Sequence, residues 1–218
     1  VKYWGIGNEI YGDWEIGYTD ADTYALRFTE YATAMRRVDP SIKLIAVGFV
    51  ENWNRKILEI DGGYLDYLSI HVYYPLFMEV KDNEKHYYSI LASPIYLENL
   101  LSLVDQTITD VLGADSDVNI ALDEWNLSIE PKQLRDGLFA ALVLNTLHRL
   151  SERVEMANIA QMVNLLGLIN TTDTDAYATP AFYAFKLYIE HAGELVIASK
   201  VEADTFTSSA LGIIPSIS

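Results

Sequence analysis

Strand-like and helix-like segments alternate along this 218-residue chain, and this alternation constrains its fold more than any other feature. Short apolar runs typical of buried strands are each followed by a longer segment with apolar residues at helical spacing. We predict strands over 1–8, 42–47, 65–70, 118–122 and 156–163. We predict helices over 21–38, 53–60, 94–112, 132–153 and 179–191. This order is typical of a parallel sheet covered by helices, which places the chain in the α/β class.

The remaining segments are predicted as connections, with one exception near the end of the chain. Residues 75–93 are expected to form a long loop and residues 171–178 a polar loop, and a last strand is expected over 194–201. Asp20 or Thr19 can cap the helix that begins at Ala21, because a short oxygen-bearing side chain can accept a backbone N–H there.

Two carboxylic acids follow predicted strands, each beside an asparagine and close to a tryptophan. Glu9 follows the first strand and Glu124 follows the fourth. A protonated acid and an ionised one, both at the carboxyl ends of parallel strands, are the minimum equipment for hydrolysing a glycosidic bond. An open sheet in chain order would separate the two acids by three strand spacings, or roughly 14 Å. Glycosidases need about 5–9.5 Å, so only a closed (β/α)8 barrel brings them near enough, and five strands cannot close one.

Composition excludes several classes of partner and chemistry. The formal net charge of −16 disfavours nucleic acid, whose phosphates would be repelled, and suits a neutral substrate. The chain has no cysteine, hence no disulfide and no thiolate chemistry, and no apolar run long enough for a membrane span. The scattered histidines have no metal-site spacing. The first residue is not Met, so we expect a fragment whose compartment stays open, with a slight preference for the cytoplasm.

Four segments together resemble glycoside hydrolase family 51, the α-L-arabinofuranosidases. They are residues 2–9, 65–74, 122–126 and 153–164, and the likeness runs from residue 1 to about residue 195. The resemblance implies that residues 1–193 form strands 4 to 8 of a (β/α)8 TIM barrel. Residues 194–218 would begin a C-terminal β-sandwich. Tyr11 and Ser128 depart from the family pattern near the sugar site, which leaves linkage preference open.

The resemblance also implies roles for individual residues. Glu9 would be the general acid/base and Glu124 the nucleophile of a retaining reaction that releases terminal α-L-arabinofuranose, with neither metal nor cofactor. Substrate-binding or supporting roles are expected for five further residues: Asn8, His71, Tyr73, Trp125 and Gln161. Among them, Tyr73 would bond the nucleophile Glu124, and His71 would support the same cluster. For Trp125, core packing is an equal alternative. Asp123 alternates with Glu124 along its strand, so we expect it to face the helices and to be structural.

Two other functions stay open at this point. One is another two-carboxylate barrel glycosidase, of xylanase or β-galactosidase type, although the motifs at 71–74 and 158–164 argue against it. The other is an inactive fragment that binds sugar weakly or serves in assembly. Exposed strand edges in a partial barrel would make the isolated chain inactive and poorly soluble or oligomeric, and a homo-oligomer is therefore possible.

Overall fold

The structure of the chain is a computed structural model that describes residues 1–74, 83–128, 132–208 and 212–215. Strands and helices alternate through most of these residues, as the sequence predicts. The strands are β1 Tyr3–Ile6, β2 Lys43–Val47, β3 Tyr67–Tyr74, β4 Asn119–Leu127, β5 Val154–Ile159, β6 Ile169–Thr171, β7 Ala176–Ala178, β8 Thr205–Ser208 and β9 Gly212–Pro215. The helices are α1 Ala21–Val38, α2 Glu51–Asp61, α3 Asn83–Leu112, α4 Leu134–Arg149 and α5 Pro180–His191.

The first five strands form one sheet in the order β1-β2-β3-β4-β5, which is the order of the chain. The pairs β1–β2 and β2–β3 are parallel, with Gly5 opposite Ile45 and Ile45 opposite Tyr67. On the middle strands, side chains that point to the same face meet in a core formed by Ile45, Tyr67 and Ala121. Met156 packs against this core. The predicted α/β class and parallel sheet are confirmed. Closure into a barrel and the start of a sandwich stay predictions.

The chain divides into two compact units. The first comprises Val1–His71, Leu101–Asp123 and Arg153–Ala157. In it α1 begins after Asp20, whose carboxylate accepts the Thr23 N–H at 2.9 Å, so Asp20 is the cap that the sequence offered. The buried hydroxyl of Tyr24 then joins α1 to two strands, because it donates to the Ile6 carbonyl at 2.7 Å and accepts the Val47 N–H at 2.8 Å.

The second unit comprises Val72–Leu100, Glu124–Glu152 and Asn158–Ser218. In this unit, helices α4 and α5 lie very close to each other at Gly137 of α4. A Cβ atom there would lie 2.9 Å from the carbonyl oxygen of Pro180, the first residue of α5, so this contact requires glycine. The Tyr188 hydroxyl further along α5 donates to the Ala141 carbonyl of α4 at 2.9 Å.

The predicted start of the third helix is wrong, because α3 begins at Asn83 and runs through Pro94. Proline has no N–H for the carbonyl four residues before it, which here is that of Ile90. The Ser93 hydroxyl donates to this carbonyl at 2.6 Å and so satisfies the acceptor that the proline leaves open. Part of the predicted loop 75–93 is therefore helix, and residues 75–82 lie outside the described residues.

The predictions for the last third of the chain need two further corrections. The polar loop 171–178 is instead the tip of a hairpin in which β6 pairs antiparallel with β7, because the Thr172 hydroxyl and backbone close a tight turn onto Asp175. The strand predicted over 194–201 is absent from this described stretch, where Leu195 and Ile197 are 85% and 82% exposed. An apolar run becomes a strand only with a pairing partner, and the nearby hairpin is formed by β8 and β9.

Among the helices of the described residues, none combines the length and the apolar character needed to cross a membrane.

Candidate active site

Glu9 lies in a tight turn that follows β1. The chain leaves the strand through Gly7, at φ +94°, and Glu9 itself has φ +43°, in the left-handed region that side chains other than glycine seldom adopt. The Gly12 N–H donates to the Glu9 carbonyl at 2.8 Å and closes the turn. Such a conformation costs on the order of 1–3 kcal/mol and is typical of functional positions. Its effect is to place the Glu9 side chain just beyond the carboxyl end of β1.

Both carboxylate oxygens of Glu9 have side-chain partners in the first unit. The indole Nε1 of Trp14 donates to Oε2 at 2.9 Å, and Nδ1 of His71 lies 2.9 Å from Oε1. The Glu9 side chain is 22% exposed and that of His71 only 10%. These two contacts fix the orientation of the carboxyl group while leaving it accessible from solvent.

An aromatic cluster holds the loop that carries Trp14. The Tyr11 ring stacks on Phe49 with a centroid distance of 3.8 Å, and it meets the rings of Trp14 and Trp53 edge-on. Gly12 leaves room for the indole, because a Cβ there would lie 2.3 Å from the Trp14 ring. Tyr11, which departs from the family pattern, is thus part of the support for the hydrogen bond between Trp14 and Glu9.

Asp123 does not face the helices, and this expectation was wrong. Its Oδ1 accepts a hydrogen bond from the Ser69 hydroxyl at 2.6 Å and lies 3.4 Å from Nε2 of His71. Side chains two residues apart on a strand point the same way, and Ala121 points into the core. Asp123 therefore points to the same face of the sheet as Ala121. On the neighbouring strand β3, Ser69 and His71 point to the same face as the core residue Tyr67.

Glu124 belongs to the second unit and lies in the second half of β4, which ends at Leu127. The Tyr73 hydroxyl of β3 donates to its Oε2 at 2.7 Å, which is the contact that the resemblance implied for these two residues. Asn126 anchors the segment behind it, since its Nδ2 donates to the carbonyls of Ala160 and Leu166, both at 2.7 Å. The carboxylate of Glu124 is therefore held by a neutral hydroxyl donor on a well-braced strand end.

Trp125 lies in one of the two surroundings expected for it, whereas Gln161 does not lie on the expected strand. The Trp125 ring is only 1% exposed and stacks on Phe185 with a centroid distance of 5.8 Å. Its burial favours the core-packing alternative over a sugar contact. Gln161 lies in a loop rather than on a strand, because β5 ends at Ile159, and it is exposed. Asn8 is also exposed, with Nδ2 donating to Oε1 of Glu15 at 3.2 Å.

Three residues near Glu9 and His71 were not identified from the sequence as parts of this site: Ser69, which donates to Asp123, Asp123, which faces His71, and Trp14, which donates to Glu9. The alternation of side chains along a strand could have identified Ser69 and Asp123. Tyr67, Ser69 and His71 point to one face of β3, and Ala121 and Asp123 point to one face of β4. Nothing comparable marks Trp14, whose position depends on a loop conformation.

Comparisons with known proteins agree with the four motifs. A family model described as the α-L-arabinofuranosidase C-terminal domain matches residues 123–212. An intracellular exo-α-(1→5)-L-arabinofuranosidase of Bacillus subtilis is 31% identical over 85% of this chain and 42% of its own length. An exo-α-(1→6)-L-arabinofuranosidase of Bifidobacterium longum is 27% identical over 100% of this chain and 48% of its own.

A solved structure is more similar still in sequence. The thermostable GH51 α-L-arabinofuranosidase from Thermotoga petrophila is 39% identical, with a TM-score of 0.86 over 94% of this chain and 43% of that one. The chain thus spans a little under half the length of these relatives. The resemblance that the motifs predicted is confirmed.

Proposed function

Because the chain shares its sequence and fold with family 51 α-L-arabinofuranosidases, we propose that it carries the two catalytic acids of a retaining enzyme of this kind. The observation that carries the proposal is the hydrogen bond of 2.7 Å from the Tyr73 hydroxyl to the Glu124 carboxylate. A nucleophilic carboxylate has to be ionised and oriented, and a neutral O–H donor favours the ionised form without neutralising it.

The reaction takes place in two displacements. Glu124 attacks the anomeric carbon of arabinofuranose while Glu9 donates its proton to the departing glycosidic oxygen, which leaves a covalent arabinosyl-enzyme. Glu9 then takes a proton from water as the water attacks the same carbon, and the configuration is retained. Two carboxylates suffice for this chemistry, so it requires neither a metal ion nor a cofactor.

The proposal includes the surroundings in which these acids act. They come within reach of one sugar in a closed (β/α)8 barrel, to which residues 1–193 contribute strands 4 to 8, while residues 194–218 begin a β-sandwich. Asn8 and Gln161 would contact the sugar, which their exposure beyond strand ends supports. The substrate is a terminal α-L-arabinofuranose of an oligosaccharide or polysaccharide. Relatives named for different linkages leave the linkage open, and one named intracellular supports a cytoplasmic location.

The test is hydrolysis of 4-nitrophenyl α-L-arabinofuranoside, measured on the 218-residue chain and on the complete gene product. We expect the complete gene product to hydrolyse this substrate far better than the corresponding xyloside and galactoside, and the isolated 218-residue chain to be inactive. Glu124→Gln should lose at least about 10³-fold in kcat, since covalent catalysis is removed. Glu9→Gln should lose about 10²–10⁴-fold on arabino-oligosaccharides, which are assayed beside the nitrophenyl substrate because their poor leaving groups need the acid.

Glu30→Gln serves as the matched control, because Glu30 is an exposed acid on α1. It should leave turnover unchanged. NMR of the first product formed should show the anomeric configuration of the substrate. Inversion would contradict the double displacement, and unchanged turnover after either substitution at Glu9 or Glu124 would contradict the assignment of the acids.

A further inference from the structure

His71 lies between two carboxyl groups within the first unit. Its Nδ1 is 2.9 Å from Oε1 of Glu9, and its Nε2 is 3.4 Å from Oδ1 of Asp123. The ring is nearly buried, and each of its two nitrogens faces one of these carboxyl groups. The proposed reaction does not use Asp123, and nothing in that reaction explains its place at the far side of the ring.

We infer that Asp123 is a positioning residue for the acid/base: it holds His71 in the tautomer with its proton on Nε2, so that Nδ1 accepts the proton of Glu9. This inference rests on the proposed function, because it assigns a purpose to the protonated form of Glu9. Asp123 acts only through His71 and does not touch the substrate.

Asp123 faces the Nε2 side of the imidazole ring. The Ser69 hydroxyl donates to Oδ1 of Asp123 at 2.6 Å, which holds this oxygen beside the ring. A carboxylate facing Nε2 attracts a proton to that nitrogen. At 3.4 Å the attraction is mainly electrostatic, which suffices to choose between tautomers of similar intrinsic energy.

Glu9 faces the other ring nitrogen, Nδ1. With the proton on Nε2, a neutral imidazole presents the lone pair of Nδ1 to Oε1, and only a protonated Glu9 can donate there. The other oxygen, Oε2, accepts from Trp14 at 2.9 Å in either state. The arrangement therefore satisfies the neutral acid, which is the form that must wait for the glycosidic oxygen.

The cycle of protons is balanced. In the first displacement the proton leaves Glu9 for the leaving group, and the carboxylate then faces the Nδ1 lone pair. This contact is unfavourable, and it favours the return of a proton from the attacking water in the second displacement. His71 and Asp123 end each turnover as they began it.

The direct test is ¹⁵N NMR of the imidazole nitrogens, with His71 assigned as the signal missing from His71→Gln. In the wild-type protein we expect Nε2 to carry the proton near neutral pH. Asp123→Ala should shift the population toward the Nδ1–H form, while Asp115→Asn, at an exposed acid before β4, should not. Finding the Nδ1–H tautomer in the wild type overturns the inference without any variant, so poor folding of Asp123→Ala does not leave it undecided.

The kinetic test uses the pH profile of kcat/KM for arabinofuranoside hydrolysis. Asp123→Asn should move the alkaline limb to lower pH, so that activity at pH 8 falls roughly tenfold more than at pH 5. A merely structural role would lower both equally, which would overturn the inference while hydrolysis itself upholds the proposed function. If the protein hydrolyses no arabinofuranoside, the proposed function fails, and the tautomer measurement still decides what Asp123 does to His71.

Discussion

Asp61 gives the sharpest test of the energetics of the first unit. This last residue of α2 is 0% exposed, and its Oδ1 accepts the Thr29 hydroxyl of α1 at 2.5 Å. Its Oδ2 has no partner among the described residues. Burial raises the pKa of Asp61 from 3.8 to about 6, since the hydrogen bond from Thr29 offsets only part of the cost of a buried charge.

The direction of the pH dependence follows from this raised pKa. Between pH 3.8 and about 6 the folded state keeps a proton that the unfolded state loses, so the free energy of unfolding falls as pH rises through this window. A difference between 3.8 and about 6 corresponds to about 3 kcal/mol. Asp61→Asn retains an oxygen that can accept from Thr29, but it removes the charge. The free energy of unfolding of this variant should therefore not fall through this pH window.

The assay is urea unfolding of the wild type and of Asp61→Asn between pH 4 and pH 7.5. From pH 4 to pH 7.5, the free energy of unfolding of the variant should rise by about 2–3 kcal/mol relative to that of the wild type. This holds whatever the stability of the variant at pH 4. A difference that stays constant within about 0.5 kcal/mol would refute the reasoning. Asp39→Asn is a control whose difference from the wild type should stay nearly constant over this range, because hydrogen bonds from Ser41 lower the pKa of the exposed Asp39 to about 2 and its contribution is lost only below pH 3.8.

Three further predictions concern the candidate site. Tyr73→Phe removes a hydrogen bond to a charged acceptor and should lower kcat/KM about 10–100-fold without changing thermal stability; an unchanged kcat/KM would mean that this bond does not support the nucleophile. Gly12→Ala should displace the Trp14 ring, which NMR would detect as a shift of its indole N–H signal, and an unmoved signal would contradict the crowding at this position. Trp125→Ala should cost about 3–5 kcal/mol of unfolding free energy in urea, whereas a loss below about 1 kcal/mol would show that the ring is not a core element.

Regular periodicity and local capping made much of the fold predictable. The bounds of α1 are those predicted, because apolar residues recur at helical spacing after Asp20 and end before Asp39-Pro40. The order of the sheet also follows from the chain order of the strands. Helix α3 was predicted too short because Pro94 resembles a first helical residue, and only the tertiary structure shows Ser93 satisfying the carbonyl that it leaves open.

The candidate site was predictable where a residue belongs to a motif and less so where its neighbours depend on geometry. Tyr73 was expected beside Glu124, and the structure shows this contact. Asp123 was assigned to the wrong side, because alternation was counted from Glu124 at the strand end rather than from the core residue Ala121. The position of Trp14 depends on stacking within a loop, which no local pattern encodes.

The left-handed backbone of Glu9 limits how this protein can be improved. Glycine or asparagine would adopt φ +43° with less strain, so a library selected for heat resistance alone should enrich them at this position. Every variant selected in this way would lack the carboxyl group of Glu9. Engineering for robustness should therefore hold position 9 fixed and seek its gains in the helices.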